Sequence, residues 1–381
     1  MTSDREQARQ QRKAELVARR AEVATAKRQE AEDRVRRHEA EEARLEAERR
    51  ATEQVAARAY GAYQDVREHA RRMRGAGGGA AASLTPAEQE MVAALAPLWD
   101  ASPDTVAHLR RWCEPIAGIA APDYEPPSPD LTLRLKRGYR VLRRQVGDDL
   151  FVEESPALGG FGYRRNGQLF NEDTLKFFDA LVALQDSAVL GAFRGASPRR
   201  LVWEIGGGWG GFAYQFKTLC PNVTYLISSI PDLFLVSAVY LMTLFPDARV
   251  RFYGDPMSAD PWNGWESVDF VFVPESELAT LRPPQVDLVL DVMSLRTRSA
   301  DRVRAHVQRA FDLGARYFYS LLPAGGPAEE VSAVWGSIER LYWPNPVPAR
   351  AEHLPPIVDG EPAGAADVEY AHMVGWRRLR A

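Results

Sequence analysis

The chain has 381 residues, 26% of them charged and 45% hydrophobic, with a formal net charge of −4, enough for one sizeable core plus an appendage. Residues 1–74 hold 19 Lys/Arg against 15 Asp/Glu, leaving the remainder near −8, a balance that speaks against a nucleic-acid binder. Cys113 and Cys220 are too few and too isolated for a disulfide framework or a zinc site, as expected in a reducing cytosol, and no run of about 18 uncharged apolar residues suggests a membrane span. With charge from Asp4 onward, no signal peptide is expected.

Residues 3–74 contain no proline and one glycine, Gly61, and are dense in Ala, Glu, Gln and Arg, which predicts one long charged helix laced by i,i+4 pairs. Ala24, Ala31, His38, Leu45, Thr52 and Ala59 continue a heptad line from Val17, with Val35 and Val55 beside it. The expected seam is that of a weak, self-associating coiled coil; a solitary charged helix and an arm docked on a partner are the other readings. Residues 75–83, rich in Gly and Ala, read as a flexible linker.

Thr85, Pro86 and Glu88 open a helix as N-cap, first residue and capping-box partner, with Met91, Val92, Leu95 and Leu98 at helical spacing. A second helix is expected after Ser102, burying Val106, Leu109 and Trp112, and a proline-rich crossing follows over 115–129. A helix over 131–146 sets Leu131, Leu135, Tyr139 and Leu142 inward and Lys136, Arg137, Arg140, Arg143 and Arg144 around the rest. That basic set reads either as a solvated face or as a contact for an anionic sugar nucleotide or polymer. Residues 158–167 form a glycine-rich loop or hairpin leading to a helix from Asn171. Residues 84–195 thus make a helical and hairpin subdomain.

Over 196–381 short apolar segments alternate with helices. Strands are expected at 201–204, 223–227, 268–273, 286–291 and 315–321, and helices at 211–219, 232–244, 299–313 and 327–341. An extra short strand is placed near 250–253, a proline-rich loop over 343–366 and a final strand over 369–379. The expected fold is α/β: a mostly parallel, Rossmann-like sheet with helices on both faces.

The centre of this domain is Leu201-Val202-Trp203-Glu204-Ile205-Gly206-Gly207-Gly208-Trp209-Gly210-Gly211. An apolar strand running into five glycines and a helix lets a ligand lie against bare main chain at the helix N-terminus. Gly206, Gly208 and Gly211 satisfy the dinucleotide pattern GxGxxG, which calls for a ribose-holding acid roughly 20 positions on. Glu204, Gly206, Gly208 and Gly210 equally satisfy acidic-x-Gly-x-Gly-x-Gly, which resembles the first motif of class I S-adenosylmethionine (SAM) methyltransferases.

With Tyr225 to Asp232, Val286 to Ser294 and Tyr317 to Ser320, this segment resembles the bacterial putative sugar O-methyltransferase family from about Phe151 onward. The chain departs from the family at Ser229, where an acidic residue is usual. It departs again at Asp291 and Leu295-Arg296-Thr297-Arg298, which stand in place of an Asn-x-x-Ser segment with a following Glu-Met. The resemblance implies SAM held by Gly206, Gly207, Gly208 and Gly210, with Glu204 orienting its amino group and Ser229 at a ribose hydroxyl. Because ligands sit beyond the carboxyl ends of strands, Glu275 joins the cofactor-binding set.

A saccharide or glycosylated small-molecule acceptor would meet Tyr163 and Arg164. A sugar hydroxyl is a poor acid, so a base is expected: Asp291 first, His372 second, with Asp367 and Glu369 near it, and His353 after them. No His/Asp/Glu spacing forms a metal signature, and a divalent ion is the alternative to a side-chain base. Trp209, Trp262 and Trp265 are candidate platforms for adenine or sugar. Two rival readings are a catalytically weak pseudo-methyltransferase acting as a scaffold through its arm, and an NAD(P)-dependent oxidoreductase, which would need the carboxylate that Ser229 does not supply.

Overall fold

The computed structural model describes residues 2–76, 84–195, 197–255, 262–323, 328–347 and 370–378. The chain divides into two compact units, Met1–Gln54 and Val55–Ala381. One continuous helix, α1 (Thr2–Ala76), contributes to both. In the first unit, over residues 41–53, charges pair along the helix: Arg44 with Glu41 and Glu48, Arg49 with Glu46 and Glu53, and Arg50 with Glu46. All are exposed pairs of the i,i+3 and i,i+4 kind that hold a helix without a core.

The later turns of α1 behave differently. Ala59, Tyr63, Val66, Ala70 and Met73 recur at helical spacing and are buried in the second unit. The Tyr63 hydroxyl donates to the Leu98 carbonyl at 2.9 Å and accepts from the Ala101 amide at 3.0 Å. The division of the chain therefore falls inside this helix, not after it at residue 74, because aromatic and apolar residues replace the Ala/Glu/Arg pattern from about one turn past Gln54. Residues 77–83 of the expected linker lie outside the described residues.

The capping box at Thr85 and Glu88 forms as expected and starts α2 (Pro86–Leu95). The second expected helix is shorter: α3 (Pro103–Ala107) stops at His108, whose φ of −115° leaves the helical region, and Leu109–Trp112 continues as a 3₁₀ turn. Trp112, expected inside, is 40% exposed. There follow α4 (Glu114–Ala117), α5 (Pro129–Val146), a hairpin of β1 (Tyr163–Arg165) and β2 (Gln168–Phe170), and α6 (Glu172–Asp186) capped by Asn171. The hairpin turns on Asn166 and Gly167, both at positive φ, the two-residue turn whose twist suits antiparallel strands.

The main sheet comprises β3 (Arg200–Ile205), β4 (Val223–Ser229), β5 (Val250–Phe252), β6 (Phe270–Pro274), β7 (Leu288–Val292), β8 (Tyr317–Pro323), β9 (Tyr342–Val347) and β10 (Tyr370–Arg377). Its order is β5-β6-β4-β3-β7-β8-β10-β9. β10 runs antiparallel to both neighbours and the other pairings are parallel. With α7 (Gly211–Leu219), α8 (Pro231–Leu244), α9 (Ala300–Asp312) and α10 (Ala328–Leu341), this is the expected mostly parallel, Rossmann-like sheet with helices on both faces, its last strand antiparallel.

Strand residues alternate between two cores. Val202, Tyr225, Ile227, Leu288 and Leu290 pack on one face with α6, α7 and α8; Leu201, Trp203, Leu226, Val271 and Val289 pack on the other with α9 and α10. One segment departs from expectation: Tyr342–Val347, read as part of a proline-rich loop, is strand β9. Pro344 and Pro346 are tolerated because β9 is an edge with β10 as its single neighbour, where missing N–H groups need no partner. The rest of the expected loop, with His353, and Asp367 and Glu369 beyond it, lies outside the described residues. Among those described, no helix is long and apolar enough to cross a membrane.

Candidate active site

The direction in which the sheet is built reverses between β3 and β7, and their carboxyl ends meet there in register, with Ile205 opposite Asp291. Ligands of open α/β sheets bind at such a switch point. The segment after β3 is a tight turn in which Gly206, Gly207, Gly208 and Gly210 all take positive φ, between +48° and +91°. Gly206 is the most constrained: at φ +89°, a Cβ there would lie 1.7 Å from Ser294 Oγ. Gly208 is half-buried, and its missing Cβ would make one ordinary contact, 3.6 Å to Ile116 of α4. The Gly206 amide donates to the Ser228 carbonyl and that of Gly210 to Gly207, whereas those of Gly207 and Gly208 make no backbone hydrogen bond among the described residues.

Two carboxylates flank this turn, both buried. Glu204, on β3, accepts from the Tyr225 hydroxyl at 3.0 Å. Burial pushes its pKa up to about 8; the Tyr225 bond opposes the rise and the nearby Asp291 charge adds to it. Asp291, at the end of β7, accepts from the amides of Ser294 and Leu295, each at 2.9 Å, and from Ser320 Oγ at 2.8 Å. Burial lifts it to about 6 against those bonds. Asp291 thereby shapes the Met293–Leu295 turn that carries Ser294 against Gly206.

The other sequence-predicted positions fall in different surroundings. Ser229 closes β4, buried and paired in register with Pro274. Glu275 follows β6, but Arg298 reaches it at 2.8 Å and Arg302 at 2.7 Å, with His306 Nε2 3.2 Å away. Burial pushes Glu275 upward, and the guanidinium charges outweigh it and hold its pKa near 2. Arg302 also grips both oxygens of Glu88, at 2.5 and 3.0 Å, tying the start of α2 to α9. Burial lowers His306 to about 4, so it is neutral beside this cluster.

His372 has both ring nitrogens engaged within the core. Nδ1 lies 2.9 Å from the Tyr319 hydroxyl and Nε2 3.0 Å from Asp179 Oδ2, joining β8, β10 and α6. Asp179 Oδ1 is buried without a partner among the described residues. Tyr163 packs edge-on against Phe170, and Arg164 donates to the Gly167 carbonyl, closing its own hairpin turn.

Trp209 turns away from the ligand side of the glycine turn toward α6. Its indole N–H donates to Asp173 at 2.9 Å, and the Arg110 guanidinium lies 3.8 Å from its ring centroid. Trp262 and Trp265 are core elements near the amino end of β4, where Thr224 Oγ1 donates to the Trp265 carbonyl. The described residues contain no cluster of three or more potential metal-binding side chains.

Sequence reasoning missed Tyr225, Ser320 and the buried Arg110–Glu154–Asp173 group, whose ion pairs measure 2.8 and 3.1 Å. Tyr225 had a signal: its register partner on β3 is Val202, which puts it on the same face as Glu204. Arg110 had none, because its partners lie 44 and 63 positions away.

No family model matches the chain, and no curated protein matches it. Among solved structures it is similar to magnesium protoporphyrin IX methyltransferase (ChlM) from Synechocystis PCC 6803 with bound SAM, with TM-score 0.35 and 11% identity over 66% of this chain and 99% of that one. It is also similar to the N-methyltransferase NodS from Bradyrhizobium japonicum WM9, with TM-score 0.30 and 11% identity over 51% and 96% of the two chains. The pyocyanin biosynthetic protein PhzM matches with TM-score 0.32 and 13% identity over 52% and 57%. The strand order and the closing antiparallel strand, not these likenesses, define the fold.

Proposed function

We propose that the chain is a SAM-dependent O-methyltransferase acting on a sugar hydroxyl of a polysaccharide or glycosylated metabolite in the cytosol, with the first unit of α1 self-associating. The observation that carries this reading is the positive-φ glycine turn at the β3/β7 switch point, with the buried carboxylates Glu204 and Asp291 at the carboxyl ends of those two strands. The residues present fit such a cofactor: a Cβ at Gly208 would meet a single ordinary contact, Ile116, the Gly207 and Gly208 amides have no backbone acceptor among the described residues, and a sulfonium cation would draw Glu204 and Asp291 into their charged forms.

SAM supplies an activated methyl group. The protein's share is alignment of acceptor and donor, on the order of 7–11 kcal/mol of barrier, and removal of the acceptor proton. Asp291 is the nearer base candidate; to act, it would release Ser320 Oγ or one of its two amide donors. His372 would act only through Tyr319. Tyr163 and Arg164 are the proposed acceptor contacts, and Ser229 and Glu275 complete the proposed cofactor side, Glu275 only after parting from its arginines.

The test is calorimetric titration of the full chain with SAM and S-adenosylhomocysteine, followed by isotope-labelled methyl transfer to glycan extracts. Binding of neither compound at millimolar concentration removes the enzyme reading. The scaffold reading is favoured by one observation, Ser294 lying against Gly206 where a ligand would approach bare main chain. SAM binding without turnover on any saccharide would support it, and Ser294→Gly, which clears that face, would then raise SAM affinity without restoring turnover. Self-association is read by sedimentation of the full chain against a chain beginning at Val55, the start of the second unit. A monomer mass for each chain would end that proposal.

A further inference from the structure

The exposed side of α5 carries a charge pattern that the fold does not use. From Leu131 to Gly147 the sequence holds six Lys/Arg and no Asp or Glu. Arg137, Arg140 and Arg144 fall at i, i+3 and i+7 along one exposed stripe. Among the described residues none of the three has a hydrogen-bond or ion-pair partner. The bordering cations are matched, Arg134 by Glu172 at 3.0 Å and Arg143 by Asp148 at 2.5 Å. Across the seam to the β1–β2 hairpin, Lys136 Nζ sits 5.2 Å from the Tyr163 ring centroid and the Arg165 guanidinium 5.6 Å from that of Tyr139.

Like charges one turn apart repel and weaken a helix, so a stripe of three arginines is a cost the chain could have avoided. It does avoid it in the first unit, where Arg44 and Arg49 each meet two glutamates. The missing counter-charge on α5 is what an anionic ligand would bring. Arg137 to Arg144 spans about 10 Å of helix, so an extended chain bearing repeated acid groups meets all three, and one small anion does not.

We propose that this face of α5, with the Tyr163 edge of the hairpin, binds the carboxylate or phosphate groups of an anionic polysaccharide. This rests on the saccharide reading above and gives that acceptor a charge. Two observations set the occupant apart from other polyanions. The rest of the chain is net acidic, unlike a nucleic-acid binder. Leu131, Leu135 and Leu142 of α5 are already in the core, which leaves Leu133 as the one large apolar side chain exposed on this helix, too little apolar surface for insertion into a membrane interface.

The experiment titrates the full chain with polygalacturonate, phosphorylated dextran, neutral dextran, single-stranded RNA and phosphatidylglycerol vesicles. One of the two acidic glycans binds, the stronger identifying carboxylate or phosphate as the recognised group, and neutral dextran does not. The affinity falls with added salt, and Arg137→Gln/Arg140→Gln/Arg144→Gln loses at least about tenfold. Arg44→Gln/Arg49→Gln/Arg50→Gln, an equal change in net charge, leaves the affinity unchanged. Equal losses in the two triple variants, equal binding of neutral dextran, or tighter binding of RNA or vesicles overturns the proposal. Melting curves confirm that both variants fold. SAM titration separates the readings: an α5 variant that loses the glycan and keeps SAM supports the proposal, and acidic-glycan binding by a chain that never binds SAM leaves this face standing while the methyl-transfer reading falls.

Discussion

The carboxyl ends of three strands of the same sheet treat a buried carboxylate in opposite ways. At β3 and β7, Glu204 and Asp291 are met by a phenol, a hydroxyl and two amides, and burial dominates, lifting them to about 8 and about 6. At β6, Glu275 is met by Arg298 and Arg302, and the same burial is overruled, leaving it near 2. Neutral donors orient a carboxylate without fixing its charge; guanidinium groups do both. The first arrangement leaves an acid able to respond to a cationic ligand, whereas the second makes a structural tie running from β6 through α9 to Glu88 on α2.

The largest expected effect comes from breaking the tie. Glu275→Ala strands two guanidinium groups that are largely buried, and should cost about 3 kcal/mol in denaturant unfolding, with Arg302→Ala next because it also frees Glu88. Glu204→Gln, by contrast, keeps an acceptor for Tyr225 and removes a carboxyl that burial already disfavours as a charge. Its cost at pH 7 should stay below about 1 kcal/mol. Equal costs in the two variants would show that the two ends are not differently built.

pH sharpens the contrast further, since the two ends respond with opposite sign. Glu275 has a folded pKa below its unfolded value, so its contribution is complete above about 4.5 and is lost as pH falls toward 2. Glu204 and Asp291 have folded values above theirs. Neither costs stability below about 4, and stability declines as pH rises from there to about 6 for Asp291 and about 8 for Glu204, levelling off above. Unfolding free energies of Glu275→Gln and Glu204→Gln, each subtracted from wild type across pH 3 to 8, should therefore slope in opposite directions. Parallel slopes would remove the distinction.

How far the sequence displayed this follows from the range of each interaction. Local signals were legible: the capping box at Thr85 and Glu88 and the strand-glycine-helix run each involve residues within a few positions, and both formed. The alternation of apolar strands and helices was enough for the sheet, because two-sided burial of parallel strands leaves an unbroken apolar run. Glu275 was nominated by its place at a strand end, and nothing local revealed that its partners are Arg298 and Arg302, 23 and 27 positions on. Glu88 was readable as a cap but not as the other half of a pair with Arg302, 214 positions away. Tyr63 and Met73 did carry the apolar spacing of a buried face, but the surrounding helix-favouring composition concealed where the exposed part of α1 stops.

The effect on ligand binding bears most directly on function. If a sulfonium ligand settles at the glycine turn, its charge stabilises the ionised forms of Glu204 and Asp291, and binding must release protons wherever those groups are still partly protonated. Affinity for SAM should then rise from pH 6 to 8, by up to about fiftyfold if binding fully ionises Glu204, and proton release should appear as a buffer-dependent binding enthalpy. Glu204→Gln removes the group that titrates in that window, so the rise should flatten in the variant while Glu275→Gln retains it. S-adenosylhomocysteine, which lacks the sulfonium charge, should show a shallower dependence in the wild-type protein. Identical pH profiles for the two compounds would place the positive sulfur away from both carboxylates, and with it the transferred methyl group away from Asp291.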